Sequence, residues 1–391
     1  MMKIPMSSPD INQEDRQAVF DVINTPILSL GPKVVEFEKR IAEYVGADHA
    51  IAVNSGTAGL HLTVHAAGLQ PGDRVITTPF SFVASTNALL FENVVPIYVD
   101  VDPITGNIDP EQAQQAAQDL AAGGTAAHRW LPRKNAGQGT TRAILPVDVF
   151  GQPAEYDSLL ATATEFGLTI IEDSCEALGA EYKGRKAGLF GEYGIFAFYP
   201  NKQITTGEGG IIVTNNAEAA DLMRALRNQG RAPGDTWLSH TYLGYNYRLD
   251  ELSAALGCTQ INRADAMINK RQQVADWYIE LLHGIPGIEL PQVVPSTTRM
   301  SWFVFVIRLD PKIDRQELAI RLEKVGVPIR PYFLPIHLQP YMVDMFGYQP
   351  RDFPVTEDLG KRGVALPFSG VMAREQVDYV CDSLKRELSN S

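Results

Sequence analysis

The chain predicts an α/β fold with a mostly parallel sheet, followed by a smaller α+β domain at its C-terminal end. Three observations carry this. Short apolar runs alternate with helical patterns through the first half and more of the chain. The residues with chemical character, Ser55-Gly56-Thr57 and Asp173, fall at strand ends and helix starts, where open α/β sheets bind ligands. Beyond a long helical stretch at 250–282 the alternation gives way to a few strands and two helices.

Taken in order, a helix over 34–44 precedes the first strand, 50–53, and a helix over 56–67 follows it. Further strands are expected at 74–77, 95–99, 143–149, 169–171, 194–198 and 210–214, with a helix over 156–166. The smaller domain is expected to use strands near 288–290, 303–309 and 327–329 and helices over 314–325 and 373–388. The division is placed near Gly257, giving a large domain over 1–256 and a C-terminal domain over 257–391. No internal repeat is visible. Residues 121–142 are the least regular, with Gly123, Gly124, Gly137 and Gly139 among five basic or potentially basic side chains. They read as a solvated loop or as a flap over a negatively charged nucleotide.

Composition sets limits. With 391 residues, 45% of them hydrophobic and 20% charged, the chain can bury a large core. No apolar stretch approaches the roughly 20 residues a membrane helix needs, and the first ten residues lack a long apolar signal region. The expectation is a cytoplasmic protein. A net charge of -12 argues against a broad nucleic-acid-binding face. Three scattered cysteines, Cys175, Cys258 and Cys381, suit a reducing compartment and neither a disulfide frame nor a metal cluster. His61 and His65 stand four apart on a predicted helix, a spacing that can hold a metal. With no glutamate between them and no evident third ligand, helix packing is the better reading, and no metal is expected.

The strongest chemical signal is Lys202, behind Phe196, Phe198 and Tyr199 and just before Gly207-Glu208-Gly209-Gly210. A lysine attacks a carbonyl only as the neutral amine, which dry surroundings favour. Those three aromatic residues are expected to supply them. Asp173 follows the apolar run 168–171. A lysine and a strand-end acid are two parts of a pyridoxal 5'-phosphate (PLP) site: one bonds the cofactor aldehyde, the other pairs with the pyridine nitrogen. The alternative is an unrelated solvated lysine and acid, so a third element is needed. Asn54-Ser55-Gly56-Thr57-Ala58 supplies it, because small residues at a strand-to-helix turn let backbone N–H groups approach a phosphate.

The order Ser55-Gly56-Thr57, Pro79-Phe80-Ser81-Phe82-Val83, Glu172-Asp173, then Lys202 before Gly207-Glu208-Gly209-Gly210 resembles the DegT/DnrJ/StrS family of sugar aminotransferases. The likeness continues through Gly244-Tyr245-Asn246-Tyr247-Arg248, Ile329-Arg330-Pro331-Tyr332 and Pro335-Ile336-His337. It implies the fold type I aminotransferase architecture, with one antiparallel strand in the sheet. It also implies roles. Lys202 is the Schiff-base lysine and proton carrier, Asp173 the pyridine-nitrogen partner, and Phe82 the stacking ring. Gly56, Thr57 and Ala58 form the phosphate loop, and Glu176 lies near the pyridine hydroxyl. Asn246 reaches the phosphate of a neighbouring subunit, which implies a homodimer with shared active sites. Arg231, Arg248, Arg330, Tyr332 and His337 are candidate substrate contacts, the arginines for a diphosphate.

One departure is visible: Ala197 stands where the family often has a phosphate-binding serine, and Ser55 could replace that contact. The expected reaction is ping-pong transfer of an amino group, with L-glutamate as donor, to a nucleotide-linked keto-deoxysugar. Related chemistries are amination of a keto-inositol and sugar dehydration, the latter opposed by Lys202 itself. A PLP-binding regulatory protein without turnover is the alternative from another class.

Overall fold

A computed structural model describes residues 2–236 and 238–389. Its strands run, in order, β1 (His49–Val53), β2 (Arg74–Thr77), β3 (Val95–Tyr98), β4 (Thr141–Ile144), β5 (Thr169–Asp173), the hairpin β6 (Glu181–Tyr182) and β7 (Arg185–Lys186), β8 (Tyr193–Ala197) and β9 (Gly210–Thr214). The remainder are β10 (Ile288–Glu289), β11 (Thr297–Arg299), β12 (Phe305–Leu309), β13 (Arg330–Pro331) and β14 (Gly363–Leu366). The large sheet has the order β1-β9-β8-β5-β4-β2-β3. β9 pairs antiparallel with both β1 and β8, and every other pairing is parallel. The one antiparallel strand expected from the family resemblance is therefore β9.

The strands are apolar runs because both faces of this sheet are covered. One face packs Ile51, Val53, Leu60, Leu62, Val75, Ile171, Ile195 and Ile212 into a single core. The other packs Phe196, Phe198, Ile211 and Val213 against Phe37 and Ile41 of the helix Pro32–Val45. That helix begins at Gly31, which has no side chain to cap it. Buried Glu251 caps it instead, accepting N–H bonds from Gly31 (3.1 Å), Lys33 (2.8 Å) and Val34 (3.0 Å). A carboxylate there meets the partial positive charge of the helix start.

Some expected elements differ, each for a local reason. The strand expected over 143–149 ends at Ile144, since Pro146 has no N–H to give the ladder, and Val147 makes only an isolated bridge to Asp173. The strand expected over 327–329 is not formed; pairing begins at Arg330. The helical stretch 250–282 is two helices, Glu251–Asn262 and Ala264–Leu282, broken at Arg263. Arg263 leaves the helical region (φ -111°, ψ 7°) while its guanidinium reaches Asp10 and Asp15.

The C-terminal sheet has the order β10-β12-β14-β13, all antiparallel. The helices Arg315–Lys324 and Arg374–Ser389 pack with it through Leu318, Leu322, Val377 and Val380. Gly257 lies inside the helix Glu251–Asn262, with its Cα turned toward the Phe37 ring. Ala254, Cys258, Ile261 and Met267 join the large-domain core, whereas Val274, Tyr278 and Leu282 join that of the C-terminal sheet. The chain thus passes between the two cores along the helix Ala264–Leu282.

Candidate active site

β5 and β8 are parallel neighbours, so the groups following them emerge at the same edge of the sheet. Asp173 ends β5 and is 4% exposed. The Ser85 hydroxyl donates to its Oδ2 (2.5 Å) and the Cys175 N–H to its Oδ1 (3.3 Å). Ser85 in turn meets the Ser81 hydroxyl at 2.8 Å. Two donors therefore hold a buried carboxylate in one orientation.

Lys202 lies beyond β8, its backbone N–H bonded to the Tyr199 carbonyl (2.9 Å). Its Nζ is 3.6 Å from Glu176 Oε1 and 3.8 Å from the centre of the Phe303 ring. The ring beside the amine is thus Phe303, from the C-terminal half. Phe196 and Phe198, expected to supply the dry surroundings, are fully buried against Phe37, and Tyr199 is exposed. A strand alternates its faces, so Phe196 and Phe198 share a side turned away from the amine.

Glu176 is held by the Phe150 N–H, which donates to Oε2 (2.9 Å). Burial pushes the Glu176 carboxyl above its ordinary pKa, with the Lys202 ammonium and the Phe150 amide opposing. Phe150 sits in the left-handed region (φ 60°, ψ 11°), a costly conformation for a non-glycine residue. Its carbonyl accepts from the Phe303 N–H (3.1 Å), and at Gly151 a Cβ would collide with the Ser301 carbonyl. This close backbone apposition sets Phe303 over Lys202. Tyr332 completes the group, with its ring 6.1 Å from that of Phe150 and 6.3 Å from that of Phe303. Burial, reinforced by the Glu176 charge, pushes the Tyr332 hydroxyl up to about 12.

Gly56, Thr57 and Ala58 open the helix Gly56–Ala66. The Ser55 side chain caps it by accepting from the Ala58 N–H (3.1 Å), so that hydroxyl already serves the helix. A Cβ on Gly56 would lie 2.8 Å from Ala197 Cβ and 3.0 Å from Cys175 Sγ, so the helix start is seated on the end of β8. Phe82 precedes the helix Ala84–Phe91 that carries Ser85, and is 63% exposed. An exposed aromatic residue whose carbonyl accepts from Ser85, a buried acid, a lysine amine and a helix N-terminus are the kinds of group PLP requires: a stacking surface, a pyridine partner, a carbonyl-reactive amine and an anion seat. The residues fit the cofactor.

The remaining candidates lie elsewhere. Asn246 is exposed on a segment tied to the turn before the Gly56–Ala66 helix, since the Asn54 N–H donates to the Tyr247 carbonyl (2.9 Å). Arg248 donates to the side chains of Asn228 (3.0 Å) and Gln229 (2.9 Å). Arg231 is half-buried in the same region, and exposed Arg330 donates to the Ile329 carbonyl (2.9 Å). His337 is fully buried, 3.1 Å from Glu357 Oε1 and packed on Phe353. These contacts make it a structural residue of the small core around Tyr348, apart from the Lys202 group.

His61 and His65 share Glu92 (2.6 and 3.6 Å), and His61 also meets the Tyr247 hydroxyl (3.0 Å). Among the described residues no His, Cys, Asp and Glu cluster could hold a metal. The 121–142 region is not all loop, since Gly124–His128 forms a short helix and β4 begins at Thr141; its basic residues are partly spent on the protein itself, with Arg129 pairing with Asp119 and Arg133 with Asp352 (2.6 Å). Sequence reasoning missed Ser85, Phe303 and Phe150. Only Ser85 had a signal, three residues after Phe82.

A family model described as the DegT/DnrJ/EryC1/StrS aminotransferase family matches residues 9–385. The chain belongs to this family. It is a PLP-dependent aminotransferase. Among curated relatives, it is 34% identical to the spore coat polysaccharide biosynthesis protein SpsC of Bacillus subtilis, covering 98% of this chain and 96% of that one. It is 33% identical to GDP-perosamine synthase of Caulobacter vibrioides, covering 99% and 98%. Among solved structures, S. venezuelae DesV in complex with a ketimine intermediate superposes with a TM-score of 0.87 at 30% identity, covering 99% of this aminotransferase and 98% of DesV.

Proposed function

We propose that this aminotransferase moves an amino group from L-glutamate to the ketone of a nucleotide-linked deoxysugar in a ping-pong cycle. The observation that supports it most is Lys202 Nζ, held between Glu176 (3.6 Å) and the Phe303 ring (3.8 Å). The kinship to GDP-perosamine synthase supports the sugar nucleotide as acceptor. PLP, when bound, supplies the carbonyl that takes the amino group and the ring that accepts the carbanion electrons.

The protein's own residues do the rest. Asp173, oriented by Ser85 and Cys175, would pair with the pyridine nitrogen and hold a proton on it. The N-terminal amides of the Gly56–Ala66 helix and the Thr57 hydroxyl hold the phosphate. Phe82 would offer a face for the ring, and Asn246 of a second subunit would reach the phosphate in a homodimer. Lys202 Nζ, freed when the donor takes its place, removes the proton from the donor's α-carbon and in the second half returns one to the sugar carbon. Glu176 lies within ion-pair range of that amine, and its raised pKa suits it to hold a proton there. Phe303, Phe150 and Tyr332 exclude water from the amine.

The test is absorbance of the purified protein with PLP, before and after L-glutamate, followed by a nucleotide-linked keto sugar. The expected outcome is a visible band that glutamate bleaches and the keto sugar restores. A band that glutamate leaves unchanged would replace glutamate as donor or favour a regulatory PLP-binding protein. Restoration by a keto-inositol alone would replace the sugar nucleotide.

A further inference from the structure

Arg271, on the helix Ala264–Leu282, is 3% exposed and has no carboxylate partner among the described residues. Its guanidinium spends its donors on four backbone carbonyls instead. Nη2 reaches those of Asn201 (2.9 Å) and Lys202 (2.5 Å), and Nη1 those of Trp302 (3.2 Å) and Phe303 (3.1 Å). One planar fork thus ties the turn that carries the reactive amine to the segment that carries the ring beside it. Buried Gln203 adds a second tie, donating to the Glu176 (2.5 Å) and Ser301 (2.8 Å) carbonyls. Both groups beside Lys202 Nζ, Glu176 and Phe303, are therefore connected to this stitching.

We propose that Arg271 is a positioning residue for Lys202, holding its amine in register with Glu176 and Phe303 through the paired carbonyls of residues 201–202 and 302–303. The role rests on the reading of Lys202 as the PLP lysine, and it reaches the chemistry only through Lys202. Geometry explains why arginine fills the position. Four acceptors on two strands of backbone need a rigid, flat array of donors, and an ammonium offers three donors on a flexible stem. Burial pulls the guanidinium pKa down to about 10, which leaves it cationic at neutral pH and fully able to donate. A purely architectural contact would not need to converge on the nucleophile's own carbonyl.

The experiment compares wild type, Arg271→Lys and Gln203→Met by amide hydrogen exchange without cofactor, and by kcat and KM for L-glutamate with PLP bound. The expected result for Arg271→Lys is exchange faster by about 10-fold or more, confined to residues 199–206 and 301–304. With it, kcat falls about 10–100-fold while KM changes less than about 3-fold, as a misplaced reacting group predicts. Gln203→Met should loosen the same segments less. Wild-type exchange in Arg271→Lys, local loosening with unchanged kcat, loosening spread over the whole chain, or failure of both variants to fold would each overturn the proposal. The exchange arm uses no cofactor. If the wild type forms no visible band with PLP, the PLP reading fails, and that failure is read separately from the stitching by Arg271.

Discussion

The candidate site has two unlike halves. Asp173, Glu176 and Lys202 rise from adjacent parallel strands, are mostly buried, and are each fixed by groups distant in sequence: Ser85, Phe150 and Phe303. Asn246, Arg248 and Arg231 belong to a segment in which the Arg248 side chain bonds its neighbours Asn228 and Gln229, Asn246 is exposed, and Leu243 is 90% exposed. The first half is complete in one chain. The second presents polar groups and bare apolar side chains outward. The contrast fits the proposed function, in which the chemistry is built into the sheet and a second copy would complete cofactor retention and substrate recognition.

The largest expected effect falls on the first half. Lys202→Ala should lower turnover by about 10³-fold or more, since it removes both the covalent attachment and the proton carrier, while melting temperature stays near that of the wild type. Retained turnover would detach the chemistry from the sheet. A smaller effect belongs to the second half. Asn246→Ala should weaken PLP retention by about 10-fold, the worth of one hydrogen bond to a charged phosphate. Mixing it with Lys202→Ala sharpens the comparison: in a shared-site dimer the mixed species rebuilds one intact site, so activity should reappear on mixing two poor enzymes. No recovery would make each chain self-sufficient.

The smallest effect concerns His337, outside both halves. Burial holds its imidazole pKa below the ordinary value of about 6.5 despite Glu357 nearby. A lowered folded pKa means the unfolded chain binds the proton more readily, so this contribution is full above about pH 6.5 and lost as pH falls toward the folded value. Urea unfolding of wild type and His337→Gln between about pH 7.5 and 5 should show the wild type losing stability faster on acidification. Parallel pH profiles would remove His337 from the buried core.

What the sequence revealed follows the same division. Ser55-Gly56-Thr57, Asp173 and Lys202 were legible because strand-end and helix-start chemistry is local, and the order of short motifs carried the family. The strands of the large sheet were legible because burial on both faces makes them continuously apolar. The break at Arg263 was not, because it depends on Asp10 and Asp15, far away in sequence. Phe303 over Lys202 and the Arg271 carbonyl contacts are tertiary, and nothing in a run such as Lys270-Arg271-Gln272 distinguishes a buried fork from a surface arginine. The His61 and His65 pair met Glu92, outside their helix, and Tyr245 and Tyr247 join the same network.

The central claim is that Lys202 is the residue on which PLP is carried. Borohydride reduction of the PLP-loaded protein, followed by peptide mass spectrometry, tests it directly. The account predicts one phosphopyridoxyl adduct, on the peptide containing Lys202, and its loss in Lys202→Ala. An adduct on another lysine, or none in a protein that binds PLP, would contradict it.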